Sequence, residues 1–387
     1  MSWKVPVFDL SVDENEVQAV AGVLRSKWIS MGEATHQLET EFAQMHNTKH
    51  AVAVCNGTAA LHLALRVLGI KEGDEVICPS LTFVATSNSI LYVGASPVFA
   101  EIASNRDLTI SCEDIEDKIT ENTKALIVVH YGGWPCQMER ILEIAKREEL
   151  KLIEDAAHAP LAECHNKKVG NFGDVGCFSF FSNKNMTTAE GGMLTTNKDE
   201  IAERLRLLRS HGMTAISFDR FAGHASNYDV VDLGFNYRLD DIRSSIGLVQ
   251  LKKVGSFNEA RRQLTELYVN KLKGIDELII PFRELIENRS ERVGSFHIFP
   301  VLLNTNDLTQ DAVRERLAEK GIQTSVHYQP VHLFRIYRER FGYKPGDLPL
   351  TEWVANHELS LPLYPGMTEK DVTYVTDSLK GCLAKAR

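Results

Sequence analysis

Five short apolar runs, spaced by stretches long enough for a helix, constrain this chain more than any other feature. They occupy residues 51–54, 75–78, 98–100, 125–130 and 151–153. Helix-length segments separate them except around the Pro-led pair near Pro79 and Pro97. A strand that is apolar on both faces must be covered on both. Short strands of this kind alternating with helices predict an α/β fold with a mainly parallel central sheet and helices on both faces. Ahead of the sheet, Ser11-Val-Asp-Glu14 has the form of a capping box, and Val17, Val20, Ala21 and Leu24 recur behind it at helical spacing. A second amphipathic stretch carries Leu38, Phe42 and Met45. Towards the other end the pattern predicts helices at 240–252 and 258–271, a strand at 296–302, a helix at 308–320, a strand at 322–327 and a last helix at 369–383. This divides the chain into a large α/β domain, residues 1–252, and a small C-terminal α+β domain, residues 253–387.

Composition narrows the function classes. With 387 residues, 44% hydrophobic and 25% charged, the chain has the makeup of a globular protein of two or three domains. A net charge of −9 repels phosphate backbones and anionic lipid, so no nucleic acid partner is expected. No run approaches the ~18 consecutive apolar residues of a membrane span, and the opening residues lack the apolar core of a secretion signal. A cytoplasmic protein with no membrane partner is the expectation. The 7 cysteines include no C-x-x-C pair, which suits free buried thiols rather than a disulfide framework or a metal site.

In parallel α/β sheets ligands collect beyond the carboxyl ends of the strands, so the residues after each strand carry the chemistry. Asn56-Gly57-Thr58-Ala59-Ala60-Leu61 follows the first apolar run and opens a helix. Its glycine, its new helix N-terminus and the Thr58 hydroxyl suit a lone phosphate, although a plain Thr N-cap would look the same. Glu154-Asp155-Ala-Ala-His158 places two acids at a strand end. Either they cap the next helix or they hold a positively charged ligand atom, and His158 reads equally as a core histidine. Lys184 follows an apolar strand with hydroxyls on both sides, Ser179 among them, and Gly191-Gly192 beyond. A lysine is most often a solvated surface group, yet one held in an apolar strand-end pocket has a lowered pKa and becomes a usable nucleophile. A phosphate cup, a strand-end Asp155 and Lys184 together describe a pyridoxal phosphate (PLP) site. Asn236, in Gly234-Phe-Asn-Tyr-Arg238, reads from spacing alone as a turn or cap residue.

These segments, with Pro79-Ser-Leu-Thr-Phe83-Val-Ala-Thr and Leu359-Ser-Leu-Pro-Leu-Tyr-Pro-Gly366, run in an order and spacing that cover nearly the whole chain. The chain resembles the DegT/StrS-type sugar-nucleotide aminotransferases, within the aspartate-aminotransferase-like, fold type I PLP enzymes. The resemblance implies roles. Lys184 would carry PLP as a Schiff base and shuttle protons, and Asp155 would pair with the ring nitrogen. Phe83 would stack on the ring, and His158, where relatives often carry Gln, would sit beside the ring hydroxyl. Gly57, Thr58 and Ser179 would hold the phosphate, joined by Asn236 of a neighbouring subunit, which implies a homodimer with shared sites. Ser182-Asn183 replaces the commoner Pro-Thr before the lysine. Trp28, His327 and Tyr328 lie where relatives contact substrate. The long aromatic loop at 211–232, which includes His224, either touches the sugar or nucleotide or is a surface insertion.

The implied reaction moves an amino group from an amino acid, glutamate, to a keto carbon of a nucleotide-linked deoxysugar. A cyclitol aminotransferase acting on a keto-inositol shares the same cofactor motifs. A pyridoxamine-dependent sugar dehydratase commonly has His in place of the lysine, so Lys184 argues against it. A cofactor-binding regulator that contacts DNA is opposed by the acidic balance.

Overall fold

The computed structural model describes residues 3–214, 227–288, 291–305 and 307–384. Seven strands form the central sheet: β1 (His50–Val54), β2 (Glu75–Pro79), β3 (Ser96–Ala100), β4 (Thr123–Val129), β5 (Lys151–Asp155), β6 (Val175–Ser179) and β7 (Gly192–Thr196). Their order is β1-β7-β6-β5-β4-β2-β3. All pairings from β6 to β3 are parallel, and only β7 runs against both of its neighbours. The apolar runs are strands because both of their faces are covered. Val52, Val76 and Ile127 pack into one cluster with the helix Gly57–Val67, while Ile77, Leu126 and Val128 pack into another with the helix Met138–Arg147.

The helices depart from the pattern in instructive places. Between β2 and β3, where no helix was expected, Ala85–Tyr92 forms one. Its Ser and Thr residues obscure it in the sequence. The hydroxyls of Ser87 and Ser89 turn back onto the carbonyls of Val84 and Thr86, at 3.2 and 2.8 Å, and are satisfied within the helix. The first helix, Glu14–Ser26, is capped by Asp13 rather than Ser11, with Glu16 closing the box. Its apolar stripe faces outward: Val17 and Leu24 are both about half exposed, and the buried residue is Glu16, which bonds Lys253 and Gln250. The two helices expected at 240–252 and 258–271 are one, Asp241–Leu272, which runs through the position of the expected domain division.

Beyond it a three-stranded antiparallel sheet joins β8 (Leu278–Ile279), β9 (Phe299–Leu303) and β10 (Glu358–Leu361). The strand expected at 322–327 is not formed. That segment makes single bridges only, Val5 to Ile322 and Ser325 to Ser360 of β10. All seven cysteines are free thiols, six of them buried. Among the described residues no helix is long and apolar enough to cross a membrane.

Candidate active site

The carboxyl ends of β1, β2, β5 and β6 open onto a cleft of about 480 Å³. Gly57, Thr58, Phe83, Asp155, His158, Ser179, Lys184, His327 and Tyr328 all line it. Residues named separately in the sequence therefore meet in one place.

One end of the cleft is an anion cradle. The side chain of Asn56, in extended backbone, accepts from the amide of Ala59 at 2.8 Å and caps the helix α3 (Gly57–Val67). The cap is thus Asn56 and not Thr58, whose hydroxyl makes no hydrogen bond among the described residues. The amides of Gly57 and Thr58 belong to the first turn and have no intrahelical acceptor. A Cβ on Gly57 would lie 2.9 Å from the Ser179 Cβ, so glycine is what lets the start of α3 press against the end of β6. Gly192 serves the same approach from β7: a Cβ there would lie 2.6 Å from the Asn56 carbonyl. Two free amides, a helix N-terminus and two hydroxyls make a site of phosphate size.

The floor is the end of β5, where the two acids part. Glu154 turns away from the cleft and is saturated. It accepts from the amides of Gly170, Phe172 and Gly173 at 2.7–2.8 Å and faces His130 Nε2 at 3.1 Å. Because the Cys136 amide donates to His130 Nδ1, the proton of that ring sits on Nε2 and points at Glu154. Asp155 faces the cleft with only two donors, the Thr86 hydroxyl at 2.8 Å and the Ala157 amide at 3.2 Å. It has no ion-pair partner among the described residues, and burial raises its pKa against those two bonds and the charge of Lys184. A buried carboxylate so placed is short of a cation.

Lys184 sits in the turn after β6, half-buried and without a hydrogen bond to its amine among the described residues. Burial lowers its pKa to about 8, against the pull of Asp155. The turn is fixed by the next residue: Asn185 donates to the Ser295 carbonyl and to Asn258 Oδ1, both at 2.7 Å, and its oxygen faces His297 Nδ1 at 2.8 Å. The wall opposite holds His158 and Tyr328. The Gly132 amide donates to His158 Nδ1 at 3.3 Å, so the ring proton is on Nε2 and is given to the Tyr328 hydroxyl at 3.0 Å. The tyrosine's own proton is left free for a ligand. Burial, then the charge of Lys184, holds His158 well below its usual pKa and therefore neutral. Phe83 is 58% exposed at the mouth, its ring centroid 6.1 Å from that of Tyr328.

Two expected residues are not in this cleft, and a third is not among the described residues. Asn236 is exposed, paired through its backbone with Ser210. Trp28 lies against Gly32 and donates to the Met31 carbonyl at 3.3 Å. His224 lies outside the described residues. Conversely Thr86, Asn185, His297 and Glu358 were not singled out. Thr86 stands inside a motif already quoted, three residues after Phe83, and Asn185 directly follows Lys184.

Comparison with known proteins decides the family. The model of the DegT/DnrJ/EryC1/StrS aminotransferase family matches residues 10–380. The chain belongs to that aminotransferase family. Among the relatives of this family member, the spore coat polysaccharide biosynthesis protein SpsC of Bacillus subtilis is 38% identical over 371 residues, 95% of this chain and 94% of SpsC. The structure of Helicobacter pylori PseC, an aminotransferase involved in the biosynthesis of pseudoaminic acid, superposes with a TM-score of 0.90 at 29% identity, covering 100% of both chains. Spr1654 of Streptococcus pneumoniae, in its PMP form, gives 0.90 at 27% identity, again over 100% of both. The DegT/DnrJ/EryC1/StrS fold is thus the α/β arrangement described above, and PLP is the cofactor the family implies. The residues present fit it: the helix N-terminus at Gly57 and Thr58 beside the Ser179 hydroxyl suits the phosphate, Asp155 lacks a cation, and Lys184 offers an amine.

Proposed function

We propose that this family member moves an amino group from glutamate to a keto carbon of a nucleotide-linked deoxysugar, using PLP held in the cleft, and works as a cytoplasmic homodimer. One observation carries the reading: a half-buried lysine with a lowered pKa, a buried carboxylate short of a cation and a helix N-terminus free to bind phosphate all face one cleft. When bound, PLP supplies an electron sink that makes a carbon–hydrogen bond next to nitrogen acidic.

The chain's own residues do the rest. Gly57, Thr58 and Ser179 seat the phosphate, with Asn236 of the partner subunit completing the cradle. Asp155, held in place by Thr86 and the Ala157 amide, would pair with the ring nitrogen and keep it protonated. Lys184 would hold the cofactor covalently, and its amine takes the proton from the glutamate Cα and delivers one to the sugar carbon; a pKa of about 8 leaves a usable fraction unprotonated near neutrality. His158 and Tyr328 would hold the ring through its hydroxyl, and Phe83 would stack on it. His327 and Tyr328 reach the sugar. The names of SpsC and PseC, one in polysaccharide and one in pseudoaminic acid biosynthesis, support a sugar acceptor.

The test is 2-oxoglutarate release from glutamate across a panel of nucleotide keto-sugars, with keto-inositol alongside. Turnover on a nucleotide keto-sugar is expected; turnover confined to keto-inositol would replace the substrate assignment. A visible absorption band abolished by borohydride checks the cofactor separately.

A further inference from the structure

Behind His327 a line of polar groups runs from the cleft wall into the small sheet. His327 Nδ1 is 2.8 Å from the Ser360 hydroxyl, which is 2.5 Å from Glu358 Oε1. The other oxygen, Oε2, accepts from the His327 amide at 2.7 Å, and the His327 carbonyl accepts from the Tyr131 hydroxyl. Glu358 is 0% exposed, at the start of β10, and Ser360 is 1% exposed, two residues on. The far atom of the ring, Nε2, makes no hydrogen bond among the described residues, and His327 lines the cleft. A fully buried acid that serves no ion pair among the described residues, joined by a hydroxyl to a ring that lines the cleft, is more than packing requires.

We propose that Glu358 and Ser360 are positioning residues that decide which face His327 shows to the sugar, so that its Nε2 donates a hydrogen bond to the keto oxygen of the acceptor. This rests on the sugar-aminotransfer reading above.

The argument follows the protons. Since Glu358 Oε2 is occupied by an N–H, an acid proton on Glu358 sits on Oε1 and is given to the Ser360 oxygen. Ser360 then donates to His327 Nδ1, and the ring's one proton must be on Nε2, pointing into the cleft. If Glu358 loses its proton, every member reverses: Ser360 donates to the carboxylate, Nδ1–H donates to Ser360, and Nε2 presents a lone pair that repels the substrate oxygen. The balance is one proton: that of Glu358 passes to Ser360, that of Ser360 passes to Nδ1, and the Nε2 proton leaves to solvent through the cleft. Burial pushes the Glu358 carboxyl up to about 8 and His327 down to about 3, so the ring stays neutral in both states and only its tautomer changes. The groups facing this line are Tyr131 and Tyr328, the distant Arg314, itself paired with Asp311 at 3.1 Å, and on the cleft side Lys184, His158 and His297.

The experiment is nitrogen NMR of the holoenzyme with ¹⁵N-labelled histidine, the His327 signals assigned against His327→Gln, from pH 6.5 to 9. An Nε2–H ring at pH 7 that converts to Nδ1–H through about pH 8 is expected, with the conversion absent in Glu358→Gln, whose amide can only donate to Ser360. In parallel the KM for the nucleotide keto-sugar rises about tenfold between pH 7 and 9 in the wild type and stays flat in Glu358→Gln, the size of one lost hydrogen bond. An Nδ1–H ring at pH 7, or no conversion by pH 9, overturns the relay, as does a KM profile identical in the two proteins. The NMR result needs no turnover, so a converting ring in a protein that accepts no keto-sugar refutes the sugar reading and upholds the relay.

Discussion

Glu154 and Asp155 are neighbours at the end of one strand, and the two sides of the sheet treat them in opposite ways. On the side of Glu154 three amides and an imidazole surround the carboxylate and pin the 170–173 loop to the strand. On the side of Asp155 two donors orient a carboxylate that is left short of charge, across the cleft from an amine. A buried charge whose every lone pair is met is a fastener, and one left partly unmet is waiting for a ligand.

The comparison can be broken by substitution. The largest effect is expected on the cleft side: Lys184→Ala lowers 2-oxoglutarate release by roughly 10³-fold or more and removes the borohydride-sensitive band. Next, Asp155→Asn cuts kcat by about 10²–10³-fold while the thermal midpoint moves little, because the fold does not depend on that charge. Glu154→Gln does the reverse. It puts an NH₂ against backbone amides, and a loss of about 3 kcal/mol in denaturant unfolding is expected, with near-normal kcat in the protein that remains folded. Equal behaviour of the two variants would erase the distinction.

A smaller effect follows from Lys184 itself. Its amine is the reactive form, and the pKa is lowered from 10.5 to about 8. PLP association with the apoprotein therefore speeds up as pH rises, about fivefold between pH 7 and 8, and levels off above about pH 9; stopped-flow absorbance would show it. The smallest is Asn56→Ala, which removes the α3 cap at a cost of about 1 kcal/mol in unfolding.

Much of this arrangement was legible in the order of residues. The sheet could be read because each strand is apolar on both faces, and the cleft could be read because Gly57, Asp155 and Lys184 each stand at or just beyond the end of a strand. What stayed hidden has physical causes. The helix Ala85–Tyr92 was masked by hydroxyls that satisfy themselves, and one continuous helix at Asp241–Leu272 was split because the pattern changes when its surroundings do. Which of two adjacent acids faces the cleft depends on the pleat, and the pleat only has meaning once the neighbours are placed. Glu358 and Ser360 meet His327 from 31 and 33 residues away, which no spacing rule reveals.

The helix Asp241–Leu272 is 32 residues long, a rod of roughly 48 Å at ~1.5 Å per residue. Leu251 and Val254 lie in the same cluster as the β1 residue Ala53, while Leu264, Tyr268 and Val269 lie with β9 of the second sheet. One rigid spar is thus rooted in both halves. Severing the chain at 252 would cut it mid-rod, so neither fragment would inherit a complete surface to fold against, and any flexing of the halves during turnover must find its pivot elsewhere.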